Sequence, residues 1–182
     1  MEKYKESLKE AITGEFNAIL KYKKYSEIAE KENFPNIAYL FKALAAGEQI
    51  HFDNHKRALK EAFEPESKDF SPGTTLENLK DALGGETWEF KDMYPQLMKS
   101  IKRDGSTEGL VAKLSMEWAK ETEKTHAEVL QHAIGLMEAG NDFQGDKLWV
   151  CDACGNLYVG EKPNELCPVC KHDPFHYKEV PR

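Results

Sequence analysis

The chain of 182 residues predicts a mainly α fold, a four-helix bundle followed by a small metal-held β appendage. Apolar residues recur at helical spacing through four successive stretches. The second and fourth stretches carry Glu-x-x-His pairs, Glu48/His51 and Glu123/His126, and the first and third carry Gly14-Glu15 and Gly85-Glu86. A three-residue spacing sets Glu and His on one helix face, one turn apart, so both reach the same ion. Four such helices must converge on one polar spot, the ligand arrangement of a carboxylate-bridged di-metal centre inside a bundle. Near the C-terminal end, Cys151/Cys154 and Cys167/Cys170 form two Cys-x-x-Cys pairs, a metal-site spacing rather than a secreted disulfide framework.

From Tyr4 to about Glu32, the residues Leu8, Ala11, Ile12, Phe16, Ile19, Leu20, Tyr22 and Ile28 define the first helix, about 42 Å long. Asn33-Phe34-Pro35-Asn36 breaks it, and Ile37, Leu40, Phe41, Leu44, Ile50 and Leu59 carry the second to about Phe63. So short a turn makes the two antiparallel neighbours. Glu64 to Thr75 contains Pro65, Ser67, Ser71, Pro72 and Gly73, which predicts the long crossover connection. Thr74-Thr75-Leu76-Glu77 is the capping box of a third helix running to about Arg103, with Gly84, Gly85 and Pro95 inside it. Interior Pro costs a helix about 3 kcal/mol. Beside Glu86 and Glu89, these three residues point either to a distortion at the site or to a plain kink. Asp104-Gly105-Ser106 ends that helix, and Leu110, Leu114, Trp118, His126, Val129, Leu130, Ile134 and Met137 carry the fourth to a stop at Gly140. The halves echo one another. Each has Gly-Glu, a Tyr seven or eight residues after that Glu (Tyr22, Tyr94), and Glu-x-x-His 33 to 37 residues after it, as two related helix pairs would.

Residues 1–140 thus form the bundle, 141–146 a linker and 147–182 a four-cysteine domain. Short strands are expected around Trp149, Leu157-Tyr158-Val159 and Phe175-His176-Tyr177. A piece of about 36 residues is too small for its own apolar core. Trp149, Tyr158 and Phe175 are therefore expected to pack around a metal that supplies most of the folding energy.

Burying Glu15, Glu48, Glu86, Glu89 and Glu123 around one point is prohibitive without cations. Oxygen and imidazole donors of variable denticity suit iron or manganese, and bridging carboxylates hold two such ions about 3.5 to 4 Å apart. The tail's four thiolates suit one tetrahedral ion. Iron there changes charge with little geometric change and relays single electrons; zinc fits the same thiolates and would be structural.

A net charge of -7 and a pI near 5.5, with no long basic cluster, argue against nucleic acid or anionic membrane as partner. No stretch approaches the roughly 18 apolar residues of a spanning helix, and the start carries no apolar run. A soluble cytoplasmic protein is expected.

Glu15, Glu48-x-x-His51, Glu86-x-x-Glu89 and Glu123-x-x-His126, followed by Cys151, Cys154, Cys167 and Cys170, resemble the rubrerythrin family over essentially the whole chain. In that family a ferritin-like four-helix bundle precedes a rubredoxin-like domain. Glu89 and the tail together separate the pattern from ferritins and bacterioferritins. The resemblance implies a di-iron centre with Glu48 and Glu123 bridging, Glu15 and Glu86 terminal and His126 constant, one iron shifting between Glu89 and His51. It implies one further iron on the four cysteines, and Tyr22 and Tyr94 as site tyrosines hydrogen-bonding carboxylates or peroxide. The implied activity is reduction of hydrogen peroxide in oxidative stress defence. Electrons would come from NAD(P)H through a separate reductase, or from rubredoxin or ferredoxin. A homodimer is implied, with one subunit's tail against the other's di-iron site. The rivals are a ferroxidase or O2 reductase, and a zinc-ribbon interaction protein.

Of the remaining residues, His55 is placed toward solvent by its neighbours Asn54, Lys56 and Arg57. Trp88 and Trp118 are assigned to the core, His132 to packing or the surface, and Lys21, Lys23 and Lys24 to a solvated face. His172 and His176 are either surface residues or partners tuning the thiolates.

Overall fold

The computed structural model describes residues 3–101 and 105–182. Helix α1 spans Lys3–Lys31 and α2 spans Pro35–Leu59, packed antiparallel along their length. Proline at the start of α2 suits a first turn that needs no N–H. Asp142, beyond the last helix, accepts from the Asn36 and Ile37 amides at 2.9 and 3.1 Å and supplies the cap that Phe34 cannot. α2 stops four residues short of the expected Phe63 because Lys60 turns left-handed at φ 57. Phe63 still packs on the core from the following loop.

The crossover carries no regular element and is pinned by Asn17 of α1. The Asn17 side chain donates to the Glu66 carbonyl at 3.0 Å and accepts from the Lys68 amide at 2.7 Å. Thr74 and Glu77 form the reciprocal capping box that opens α3, Thr75–Trp88. A π turn, Glu89–Met93, follows, in which the Tyr94 N–H reaches back five residues to the Glu89 carbonyl; α4 then runs Tyr94–Ser100. Of the two readings for this stretch, distortion is correct. Pro95 opens α4 directly after the π turn, where its missing N–H interrupts least. The expected end at Arg103 and the start of the following turn at Asp104 lie outside the described residues.

The π turn has a geometric effect. Tyr22 follows Glu15 by seven residues, which at about 100° per residue returns it to within about 20° of the same face. Tyr94 follows Glu86 by eight, which in an unbroken α-helix leaves it about 80° round. One residue absorbed by the wide turn brings it back. The seven-versus-eight difference between the two halves is this insertion.

Ser106 caps α5, Thr107–Glu138, by accepting from the Gly109 amide at 3.0 Å, and Gly140 at φ 80 ends it. Leu110 and Leu114, expected in the apolar stripe, are exposed instead, together with Val111. They lie on the outer face of α5, whose inner face in the same turns is Gly109, Ala112, Ser115 and Met116.

The tail is a three-stranded antiparallel sheet, ordered β2-β1-β3, of β1 Leu148–Cys151, β2 Leu157–Val159 and β3 Tyr177–Glu179. Phe175 and His176 fall in a 3₁₀ turn before β3 rather than in it. The tail does not rely on metal alone: Leu148, Val150, Leu157 and Val180 join the apolar cluster that includes Tyr39, Leu40 and Leu44 of α2. Tyr39 donates its hydroxyl to the Val180 carbonyl at 2.7 Å and accepts the Leu148 amide at 3.3 Å. A second apolar cluster, built on Leu8, Ile12, Tyr94, Leu97 and Met116, fills the other end of the bundle. The charged residues lie between the two.

Candidate metal centre

Glu15 comes from α1, Glu48 and His51 from α2, Glu86 from α3, Glu89 from the π turn, and Glu123 and His126 from α5. All seven are buried. Their ligand atoms form two groups, Glu15/Glu48/His51/Glu123 and Glu48/Glu86/Glu123/His126, each within 4.8 Å. Glu48 and Glu123 belong to both, the position a bridging carboxylate takes. Glu89 belongs to neither. His51 Nδ1 lies 2.9 Å from Glu48 Oε2 and 3.0 Å from Glu123 Oε1. His126 Nδ1 lies 3.3, 3.4 and 3.1 Å from oxygens of Glu48, Glu86 and Glu123.

Hydrogen bonds do not satisfy this cluster. Glu15 Oε2, Glu48 Oε1, Glu86 Oε2, both Glu123 oxygens and His126 Nδ1 are buried with no directed hydrogen-bond partner. Burial raises the carboxyls of Glu15, Glu48 and Glu89, helped by the neighbouring glutamates, and pushes Glu123 up to about 7. Burial also opposes charge on Glu86, but His126 and the Tyr22 phenol outweigh it and hold Glu86 at about 2. His51 and His126 resist burial because the glutamates around them raise both. Without metal, the cluster neutralises itself by holding protons. Two cations would take their place on the orphaned oxygens and nitrogen, so the donor set fits a di-iron pair.

Each imidazole turns its other nitrogen toward the tail. His51 Nε2 lies 3.0 Å from the Cys154 carbonyl and His126 Nε2 3.4 Å from that of Gly155. A carbonyl there fixes the tautomer with Nδ1 free for an ion. Thr122 also donates to the Cys154 carbonyl at 3.1 Å, and Asn54 to that of Ala153 at 2.9 Å. Glycines permit the approach. A Cβ on Gly155, itself at φ 83, would stand 2.5 Å from His51 Nε2, and one on Gly47 would stand 2.9 Å from His126 Cε1. Within the chain, the linker after α5 is tied to the start of α2 by the Asp142 cap, and the tail beyond it sets the Cys154 carbonyl on His51.

The four cysteine sulfurs gather within 4.8 Å, with Cys151 and Cys170 3.7 Å apart and Cys154 and Cys167 3.5 Å apart. Four sulfurs around a tetrahedral ion at about 2.3 Å would be about 3.8 Å apart, so this set fits one ion. Each knuckle ends in a left-handed residue, Gly155 at φ 83 and Lys171 at φ 62. Trp149 packs beside the sulfurs as expected, but Tyr158 is exposed and Phe175 is 70% exposed, under the Lys178 ammonium. Tyr177 takes the inner place expected of those two. Trp118 is partly buried against this cluster, while Trp88, assigned to the core, is 52% exposed. His132 is exposed, edge-on to Phe143. His176 pairs with Asp152, and His172 stands edge-on to Trp118; among the described residues neither side chain bonds a cysteine sulfur. Lys21 and Lys24 lie in surface ion pairs with Asp81 and Glu27, as a solvated face does.

Both tyrosines reach carboxylates across the bundle. Tyr22 donates to Glu86 Oε1 at 2.5 Å, and Tyr94 donates to Glu15 Oε1. The placement of His55 toward solvent is wrong. His55 is fully buried, with Nε2 3.0 Å from the Tyr94 hydroxyl and Nδ1 3.0 Å from Ser115 Oγ. Burial lowers its basicity and keeps it neutral. Because Tyr94 spends its proton on Glu15, its oxygen accepts from His55 Nε2–H, while Ser115 Oγ beside His55 Nδ1 donates to the Ala112 carbonyl at 2.9 Å. The available signal was helical phase: His51, His55 and Leu59 follow one another at four-residue steps along one face.

A helical bundle with two carboxylate–imidazole groups sharing two glutamates, abutted by a four-thiolate sheet, defines a ferritin-like di-metal protein with a rubredoxin-like tail. The family description "Rubrerythrin" matches residues 6–134, and "Rubrerythrin, rubredoxin-like domain" matches 149–178. The chain is 35% identical to rubrerythrin-2 of Clostridium acetobutylicum over 174 residues, 92% of each. It is 33% identical to nigerythrin of Nitratidesulfovibrio vulgaris over 170 residues, 91% of this chain and 80% of that one. A mixed-valence nigerythrin structure superposes with a TM-score of 0.86 at 30% identity, covering 97% of this chain and 86% of the other. Nigerythrin has also been solved fully reduced, with all iron ferrous. This chain belongs to the rubrerythrin family. No described helix is long and apolar enough to cross a membrane.

Proposed function

We propose that this protein is a non-haem di-iron peroxidase that reduces hydrogen peroxide to water in oxidative stress defence, in the reducing cytoplasm. The observation that carries this reading is the seating of Cys154, a thiolate of the relay site, with its own carbonyl on His51 of the di-metal cluster. Electrons entering the tail then have a path of a few covalent bonds and one hydrogen bond to the centre. Glu48 and Glu123 would bridge, Glu15 and Glu86 would bind terminally, His126 would hold one ion, and His51 or Glu89 the other.

A reduced iron pair supplies two electrons to an O–O bond. The chain's own residues do the rest: H2O2 with two electrons and two protons gives two waters, and Tyr22 and Tyr94 hold phenolic protons at the carboxylates flanking the centre. The apolar clusters close the two ends of the bundle around the centre. A ferroxidase would take electrons from its substrate iron and would need no relay site. The electron donor is a reductase drawing on NAD(P)H, or a rubredoxin or ferredoxin. The homodimer implied by the family would draw on the exposed Leu110, Val111 and Leu114 of α5.

The test is to reduce the iron-loaded protein without oxygen, mix it rapidly with peroxide or O2, and follow the visible absorption of the oxidised iron tetrathiolate. Faster return of colour with peroxide is the expected result. Preference for O2 would move the assignment to a ferroxidase, and a colourless tail to zinc.

A further inference from the structure

Six of the seven cluster residues are at most 1% exposed; Glu89 is 8% exposed. Among the described residues nothing hydrogen-bonds its carboxylate, and it lines a cavity of about 400 Å³ between α1, α3 and the crossover. Tyr22 lies beside Glu89 in that lining, and Phe70, Trp88, Ala18 and Ala82 form apolar walls. The crossover residue Phe70 is held edge-on to Tyr25.

Gly85 supplies a second observation. An interior helical glycine costs about 1 kcal/mol relative to alanine, yet a Cβ on Gly85 would meet no protein atom within 4 Å. The same holds for its neighbour Gly84, but of the two only Gly85 lines the cavity. The space before it is the cavity, which a side chain would fill.

The size and polarity of the space narrow the ligand. Hydrogen peroxide has two heavy atoms and needs little more than the ~30 Å³ share of a water or two. Cavities of roughly 300 to 1,000 Å³ hold small organic molecules. The charges at the mouth balance: Lys21 is paired with Asp81 at 2.6 Å, and Lys68 is followed by Asp69. A neutral, partly apolar molecule suits such walls better than an ion.

We propose that this cavity binds neutral organic hydroperoxides, the organic group against Phe70 and Trp88 and the O–OH end at Glu89. The inference rests on the peroxidase reading and names a substrate class for it. In the reaction, ROOH takes two electrons and two protons; the O–O bond breaks and ROH and water leave. The electrons come from the reduced centre and are replaced singly through the tail by the external donor.

The first measurement uses metal-free protein and 2-phenyl-2-propanol, the alcohol that cumene hydroperoxide would leave, following tryptophan emission with Trp88→Phe as control. Saturable change is expected in the wild type and in neither Trp88→Phe nor Gly85→Leu. The second compares kcat/KM for cumene hydroperoxide and for H2O2 on the iron-loaded protein. Gly85→Leu is expected to lower the ratio of the two by about tenfold or more, the scale of a few lost apolar contacts. Phe70→Ala, which widens the cavity, should favour bulkier hydroperoxides and serves if Gly85→Leu misfolds. Absence of saturable binding in the wild type, or a ratio indifferent to both variants, overturns the proposal while H2O2 turnover stands. Loss of H2O2 turnover in the wild type removes the peroxidase reading instead, and the metal-free binding result separates the two failures.

Discussion

The two halves of the centre pair a tyrosine with a carboxylate in the same way but back the tyrosine differently. Tyr22 meets Glu86 with its ring among Tyr25 and Phe41. Tyr94 meets Glu15 with His55 and Ser115 behind it, both hydrogen-bonded in line. On α5 the residue four places beyond His126 is Leu130, where α2 has His55 beyond His51. A symmetric ligand set therefore sits in an asymmetric surround. One phenol has a hydrogen-bonded chain leading away from the centre, and the other ends in apolar packing.

The sharpest way to break the symmetry is to remove ligands that the halves do and do not share. Glu123→Ala should abolish the ion pair outright, whereas Glu15→Ala should leave the His126-side group intact. Iron counting after loading distinguishes the two, and equal losses would refute the division into halves. Next in size is Gly155→Ala, which forces a Cβ against His51 at a left-handed position. Thiolate iron should still load, while its reoxidation by peroxide slows on the order of tenfold to a hundredfold.

Stability against pH is a third test. Glu15, Glu48, Glu89, Glu123, His51 and His126 all hold protons more tightly folded than unfolded, so metal-free stability falls as pH rises. For Glu123 the loss runs from the ordinary carboxylate value of 4.5 to about 7, and the histidines extend it above 6.5. Glu86, held at about 2, has the opposite sign but acts only in acid, and His55, lowered by burial, opposes the fall only below its ordinary 6.5. Metal-free Tm should drop between about pH 5 and about pH 8, and metal-loaded Tm should rise, because ions displace those protons. Parallel curves would mean the cluster does not titrate as described.

The smallest effects separate the tyrosines. Tyr22→Phe should cost about 1.5 kcal/mol, the low end for a hydrogen bond to a charged group. Tyr94→Phe should cost about 1 to 3 kcal/mol more because it also strands buried His55. His55→Leu in the Tyr94→Phe background should recover part of that difference; additive denaturant-melt values would show that the two side chains are not coupled.

Much of this was legible in the sequence. Glu-x-x-His spacing, Gly-Glu, the capping box at Thr74 and the paired Cys-x-x-Cys are local patterns, and each implies its geometry within a turn or two of chain. His55 was misplaced because its immediate neighbours are polar, whereas burial on a helix follows residues three and four away. Trp88 was misplaced by composition: an indole suggests a core, but this one borders a cavity. The seating of the tail was illegible because Gly47 and Gly155 are distant in sequence and a glycine does not announce what approaches it.

The π turn bears on how such a centre could be assembled by simple changes to a gene. Deleting one codon between those for Glu86 and Tyr94 would restore an ordinary helix with the tyrosine at the seven-residue spacing already present in α1. Glu89 stands at the start of the wide turn, and its carboxylate borders the cavity. One extra codon is therefore worth about a quarter turn of helix, and here that quarter turn falls between Glu89 and Tyr94, two side chains of the centre.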